Sequence, residues 1–368
     1  MPNSNLDPVE FPLLQSQQAP RHRDRLTFGV EIEFNLATLD EFDADEDPTP
    51  DDARAVLGIS GSKILENHSH LQRIELARKH IAKTLSDEGI PAEALDQKNP
   101  TWKPWKPADI TAWVVKSDHT IKPPFGSFPY LFCPIEITTP VYYFSEAAVD
   151  TVKKVCEILS STYRINVNNS CALHIHVGNG EKSLSIDTTR KLFSTIYTFE
   201  PQLAQIHPSH RINNGWCHSL RAGSRMATHL TDSGESVVTP GLYILRNVET
   251  LEGLKKYTTG TYAWGGKLAY HMGNLVHNPV AHEHDPNKRT VEFRQHESTL
   301  DPERVANWAR LCVGLVEFVN AVDEDALHVF LERHIEDSPK DFTIEQVLAA
   351  LGMPDLASYY MSRIEGRG

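Results

Sequence analysis

A chain of 368 residues with 40% hydrophobic and 23% charged content has the composition of a globular enzyme, long enough for one large α/β unit or two smaller domains. Its formal net charge of −13 excludes nonspecific nucleic-acid binding, which needs clustered lysine and arginine, but leaves nucleotides open because metal ions supply positive charge locally. No run of about 18 apolar residues occurs, so no membrane span is expected, and the polar start Met1-Pro2-Asn3-Ser4 predicts no secretory signal.

Residues 1–24 read as a flexible polar tail. A strand follows at 26–36, then an acidic loop over 40–52 that reads as solvated surface. Ile64, Leu71, Ile74, Ile81 and Leu85 recur at intervals of three, four or seven residues and predict an amphipathic helix over 64–87. Prolines break the stretch 99–107, and strand-like runs follow at 112–117 and 131–138. Ser145 is placed to cap a helix over 146–162, with Glu146 in its first turn. Strands at 164–168 and 171–177 precede a helix near 187–205. The span 207–285, rich in Gly, Asn and His, shows no clear periodicity. A strand at 289–296 leads into a helix near 302–322, where Asp301 caps and Pro302 takes the first helical position. The last 45 residues read as helical. The expected organisation is a catalytic domain over 25–322 with a C-terminal helical segment, 323–368, packed on it. Five scattered cysteines (Cys133, Cys156, Cys171, Cys217 and Cys312) fit reduced core thiols and a cytoplasmic protein rather than a disulfide framework.

The chemistry gathers on strands with an apolar back. In the first, Leu26, Phe28, Val30, Ile32, Phe34 and Leu36 share one face, and Thr27, Gly29, Glu31, Glu33 and Asn35 share the other. Alone, two glutamates on a strand are most simply a solvated face. Three further segments repeat the design: Glu136 within Pro134-Ile135-Glu136-Ile137-Thr138, His174 and His176 within 171–178, and Glu292, Arg294 and His296 against Val291 and Phe293. Gathered on one sheet, these groups are costly to bury unless cations neutralise them. The predominance of oxygen donors favours Mg²⁺ or Mn²⁺ over zinc. No Gly-x-x-x-x-Gly-Lys-Ser/Thr loop occurs, and Gly178-Asn179-Gly180 reads better as a turn than as a phosphate loop.

Four blocks together resemble the amidoligases found widely in fungi: Phe28-Gly29-Val30-Glu31-Ile32-Glu33-Phe34, Asn169 through Gly178, His210 through Cys217, and Thr290 through Asp301. The resemblance spans about residues 26–320. It implies membership of the glutamine synthetase and glutamate–cysteine ligase superfamily, with an α+β fold: a curved, mainly antiparallel sheet forming an open half-barrel backed by helices. It also implies that ATP phosphorylates a small-molecule carboxylate and that an amine displaces phosphate to form an amide, with two or more Mg²⁺ or Mn²⁺ ions. By matched position, Glu31, Glu33, Glu136, His174 and Glu292 would ligate metal. His174, His176, Arg211 and Arg294 would contact the nucleotide, with Arg294 on the transferring phosphoryl group. Glu292, Arg294, His176 and Glu297 would be catalytic, and Glu297 or His296 would accept the amine's proton. Asp118 and Arg221 would lie at the substrate end. Ala172 replaces a usual Gly, Thr138-Thr139-Pro140 a common Val-Ser-Pro, and Asp118-His119-Thr120 an Asp-Gly-Ser; the last bears on which substrate is taken. The rival activities are a metal-dependent amide hydrolase, an ATP:guanidino phosphotransferase of the same fold, and a non-catalytic binding module.

Overall fold

Alternation along 27–40 builds a 14-residue strand, β1 (Thr27–Asp40), on which the rest of a sheet is assembled. The structure is a computed structural model that describes residues 26–40, 47, 49–59, 68–95, 111–126, 130–180, 182–212, 214–261, 267–276 and 289–366. The expected tail at 1–24, most of the acidic loop, the proline-broken stretch and parts of 207–285 lie outside those residues. The chain divides into two compact units, and neither follows the expected boundary at 322/323. One comprises Leu26–Ser183 with Ala269–Arg310; the other comprises Leu184–Leu268 with the chain from Leu311 onward.

The first unit is a mixed α/β assembly with an open, largely antiparallel sheet. Its strands are β1, β2 (Leu57–Ile59), β3 (Ala92–Ala94), β4 (Trp113–Lys116), β5 (Leu131–Thr138), β6 (Tyr142–Tyr143), β7 (Ile165–Asn166), β8 (Ala172–Gly178), β9 (Tyr270–His271) and β10 (Thr290–Glu297). The main order is β3-β4-β5-β1-β8-β10-β9, while β2, β6 and β7 pair with parts of the long β1. Among the described strands, only the β1–β2 and β3–β4 pairs are parallel. Phe28, Val30, Ile32, Phe34 and Leu36 are buried, as the alternation predicts. The polar face is buried too, so it is not a solvated one.

Among the described residues, two α-helices belong wholly to this unit. In α1 (His68–Asp87), Ile74, Ala77, Ile81, Ala82 and Leu85 are buried, but Leu71, assigned to the apolar face from the sequence, is 60% exposed. The helix buries the stripe from Arg73 onward, and Leu71 precedes it. In α2 (Glu146–Thr162), Ser145 accepts from the Ala148 N–H as expected of the cap, and Glu146 lies in the first turn. The described part of the acidic loop is not simply solvated. Arg164 Nη1 donates to Asp47 Oδ1 at 2.6 Å and Nη2 to the Asp52 carbonyl at 2.6 Å, and Arg164 holds the Asp47 carboxyl down at about 2.

The second unit is helical among its described residues: α3 (Ile186–Ala204), α4 (Ser209–Ile212), α5 (Leu220–Gly223), α6 (Arg225–Asp232), α7 (Val238–Arg246), α8 (Leu251–Thr258), the latter part of α9 (Pro302–Ala321), α10 (Glu324–His334), α11 (Ile344–Ala350) and α12 (Pro354–Glu365). Helices α4 to α8 run four to nine residues, too short to display a helical period, which is why 207–285 resisted reading. All five cysteines are buried and unpaired with one another, and no described helix is long and apolar enough to cross a membrane.

Helix α3 carries Pro201 and a non-helical residue, Phe199 (φ −104°, ψ 16°). Proline has no N–H to offer the carbonyl four residues earlier, so the Tyr197 oxygen is released. Arg221 satisfies it: Nε donates to the Tyr197 carbonyl at 2.6 Å, and Nη2 to those of Thr198 at 2.7 Å and Ile335 at 3.2 Å. Returning the favour, the buried Glu200 carboxylate accepts the Leu220 and Arg221 N–H groups and the Ser219 hydroxyl, closing the start of α5. Arg221 is thus a brace for a kinked helix. Replacing it, Arg221→Met, strands these carbonyls and is expected to cost about 2–4 kcal/mol of stability by urea denaturation. An unchanged midpoint with a raised substrate KM would instead favour the substrate role expected from the sequence.

Candidate functional site

Antiparallel pairing sets the polar face of the sheet in three transverse rows. Lys116 on β4 opposes Glu136 on β5, which opposes Glu33 on β1. Thr138 opposes Glu31, which opposes His174 on β8. Gly29 opposes His176, which opposes Glu292 on β10, itself opposite His271 on β9. The glutamates and histidines widely separated in sequence therefore share one buried surface: Glu31, Glu33, Glu136, His174, His176, Glu292 and Arg294 are each at most 9% exposed.

Their ligand atoms fall into two groups, each drawn within 4.8 Å: Glu31, His174 and Glu292 in one, and Glu33, Asp118 and Glu136 in the other. In the first, His174 Nδ1 lies 3.3 Å from Glu31 Oε2 and 3.6 Å from Glu292 Oε1. The same nitrogen is 4.0 Å from Glu33 Oε1, which links the groups. His176 Nε2 is 3.2 Å from Glu31 Oε1, while its Nδ1 meets the Thr290 hydroxyl at 3.1 Å. Arg294 Nη1 donates to Glu292. In the second group, Lys116 Nζ is 2.8 Å from Glu136 Oε1, and the Ala172 N–H donates to Glu33 Oε2 at 2.8 Å.

The two groups differ electrically. Burial, together with Glu136 and Asp118, raises the Glu33 carboxyl well above its ordinary range. Burial also pushes Glu136 up to about 7, against the pull of Lys116. Burial alone would raise Glu292 as well, but Arg294 and the two histidines prevail and hold it well below the usual range. Burial and Arg294 lower the His174 imidazole to about 4, so it is neutral near pH 7 and one ring nitrogen offers its lone pair. These groups fit divalent cations. Two like-charged carboxylates face each other across β1 and β5, and His174 Nε2 is buried without a hydrogen-bond partner among the described residues. Hard oxygen donors with one imidazole suit Mg²⁺ or Mn²⁺.

Several sequence expectations meet this geometry differently. His296 does not share the face of Glu292. Between Phe293 and His296, β10 advances three residues while β8 advances two, from Ile175 to Leu173. This bulge reverses the side-chain parity, because one extra residue flips whatever follows to the other face. His296 therefore opposes the core residue Leu173, with its ring 5.4 Å from that of Trp308. Glu297 returns to the polar side opposite Ala172, and its carboxylate pairs with Arg304. Asp118, expected at the substrate end, joins Glu33 and Glu136. Arg221 and the fully buried Arg211 belong to the other unit, Arg221 as the brace described above. The residues missed were Lys116, Thr290 and His271. Lys116 ends the run Trp113-Val114-Val115, three buried apolar residues without alternation, and His271 sits on a two-residue strand, so no pattern revealed either.

Acid-base behaviour follows from the raised carboxyls. A carboxyl raised on folding stabilises the fold fully below its ordinary value of 4.5, and that contribution is lost as pH rises through the folded value, about 7 for Glu136. Metal-free protein should therefore melt at progressively lower temperature as pH rises through this window, by calorimetry. Glu33→Gln should raise the melting temperature at pH 8, leave it unchanged at pH 4, and reduce the stabilisation given by Mn²⁺.

No curated protein matches the chain. Residues 24–316 match the model of a family described as "putative amidoligase enzyme". Its ligases form amide bonds, and the chain, matched over most of its length including both carboxylate groups and Arg294, belongs to this amidoligase family.

Proposed function

We propose that the protein is an ATP-dependent carboxylate–amine ligase that forms an amide between a small-molecule acid and an amine through an acyl phosphate. The observation that carries this reading is the pair of buried carboxylate groups on one sheet face, with Arg294 on the Glu292 of one and Lys116 on the Glu136 of the other. A largely antiparallel open sheet bearing its ligands on one face also supports the glutamine synthetase-like fold.

A carboxylate is a poor electrophile and must be activated. ATP supplies the phosphoryl group, and bound Mg²⁺ or Mn²⁺ neutralises its developing charge. Glu31, His174 and Glu292 would hold one cation, and Glu33, Asp118 and Glu136 another. Arg294, kept charged by Glu292, Glu31 and Glu33 despite burial, presents a planar fork of donors for phosphoryl oxygens. Glu292 fixes the direction of that fork. Thr290 orients the His176 ring so that Nε2 points at Glu31. Burial of the glutamates, the histidines and Arg294 would limit the water reaching an activated carboxyl. His296 is turned to the core and Glu297 is engaged by Arg304, so neither is placed to take the amine's proton. The ligase reading gives this buried arginine fork a transferring phosphoryl group to hold, which amide hydrolysis without ATP does not offer.

Purified protein is expected to release ADP and phosphate only when a suitable acid and amine are both present with Mg²⁺ or Mn²⁺. Mass spectrometry of amino acids and amines incubated with ATP should show a product lighter by one water than its summed reactants. Hydrolysis of an amide without ATP would overturn the reading. Arg294→Lys keeps the charge but loses the fork. It should lower kcat by about 10²–10³, the scale of one lost transition-state donor, with a near-native melting temperature. Collapse of folding in that variant would mark the pair as structural instead.

A further inference from the structure

Lys116 stands apart from the other charges of the site. Among the described residues the two groups hold five carboxylates (Glu31, Glu33, Asp118, Glu136 and Glu292) and two fixed cations in contact with them, Arg294 and Lys116. Arg294 is 6% exposed and is locked in place by Glu292. The Lys116 side chain, in contrast, is 30% exposed, although the Glu136 it meets is 7% exposed. Asp118, two residues on, is 25% exposed, so Lys116 and Asp118 form the accessible margin of an otherwise buried cluster. Lysine carries a compact charge on a flexible four-carbon stem, whereas the arginine fork is rigid.

We infer that Lys116 is a displaceable counter-ion: its ammonium neutralises Glu136 in the metal-free protein, gives that carboxylate up when a divalent cation binds, and turns to an anionic oxygen of the incoming substrate. This inference rests on the ligase reading and adds to it a residue that couples cation and anion binding. The register supports it. Lys116, Glu136 and Glu33 form one straight row, so the same Glu136 carboxylate serves the ammonium on one side and the Glu33–Asp118 oxygens on the other. An ammonium 2.8 Å from Glu136 Oε1 and a doubly charged ion on those oxygens repel each other, and the Lys116 side chain, at the exposed margin, has room to turn outward. Moving outward, Nζ stays at the margin of the site, where an anion arrives. Each ligand then favours the state that the other prefers, and the coupling is reciprocal.

The test uses full-length protein and Mn²⁺ alone, with bound metal read by electron paramagnetic resonance. Lys116→Met, which keeps the stem and removes the charge, should bind Mn²⁺ at least fivefold more tightly than the wild type. Lys116→Arg should stay within twofold of the wild type. With Mn²⁺ saturating, a non-hydrolysable ATP analogue should bind Lys116→Met at least fivefold more weakly, by calorimetric titration. A merely structural lysine predicts the opposite sign for the metal, since a disordered site binds it less well. Unchanged or weaker Mn²⁺ binding by Lys116→Met, with normal binding by the wild type, overturns the inference and leaves the ligase reading standing. Absence of Mn²⁺ binding by the wild type overturns both. If Lys116→Met fails to fold, Lys116→Gln is measured in the same way against the same two outcomes.

Discussion

Two glutamates from neighbouring strands, Glu33 and Glu136, face each other inside the protein, and most of what is particular to this molecule follows from that juxtaposition. Like charges set directly opposite on adjacent strands destabilise a sheet even when solvated, and burial makes the cost greater. The fold meets it in several ways. Glu33 receives the Ala172 N–H, Glu136 receives Lys116, and both carboxyls shift upward so that they take protons more readily. The neighbouring group is arranged in the opposite sense, with Arg294 keeping Glu292 ionised and His174 neutral. One sheet face thus carries two adjacent donor sets of different charge state.

The scaffold around them is organised along one strand. The 14-residue β1 pairs with five other strands, and its apolar side is buried from Phe28 through Leu36. At the end of β5, where Pro140 has no N–H to give, the Thr139 hydroxyl accepts the Val30 N–H at 3.0 Å and the Thr139 N–H donates to the Val30 carbonyl. A rigid sheet matters for chemistry because groups on strands are held more closely to a productive geometry than groups on loops.

In the helical unit an arginine performs the service that a backbone N–H performs elsewhere. Pro201 releases a carbonyl in α3, Arg221 occupies it, and Glu200 ties the arginine's own backbone back to the same helix. Arg221, four residues beyond the block His210 through Cys217, was expected at the substrate end. Its Nε and Nη2 donate to main-chain oxygens of Tyr197, Thr198 and Ile335.

Period-two alternation in 26–36, 134–138, 171–178 and 289–293 was enough to identify the strands, their apolar backs and the ligand-type residues Glu31, Glu33, Glu136, His174, His176 and Glu292, because side-chain direction on a strand is a local property. Helix ends marked by Ser145 and Asp301 were equally legible, since caps act within three residues. Tertiary structure alone decided which strands are neighbours, and hence that the ligands form two groups, that Asp118 belongs with Glu33 and Glu136, and that Lys116 serves Glu136. It also decided the bulge that turns His296 toward Trp308, because a bulge is a mismatch between two strands and neither strand's sequence contains it. The local pattern gives the direction of a side chain where the strand is regular; the pairing of strands distant in sequence determines what it meets and where a bulge reverses it.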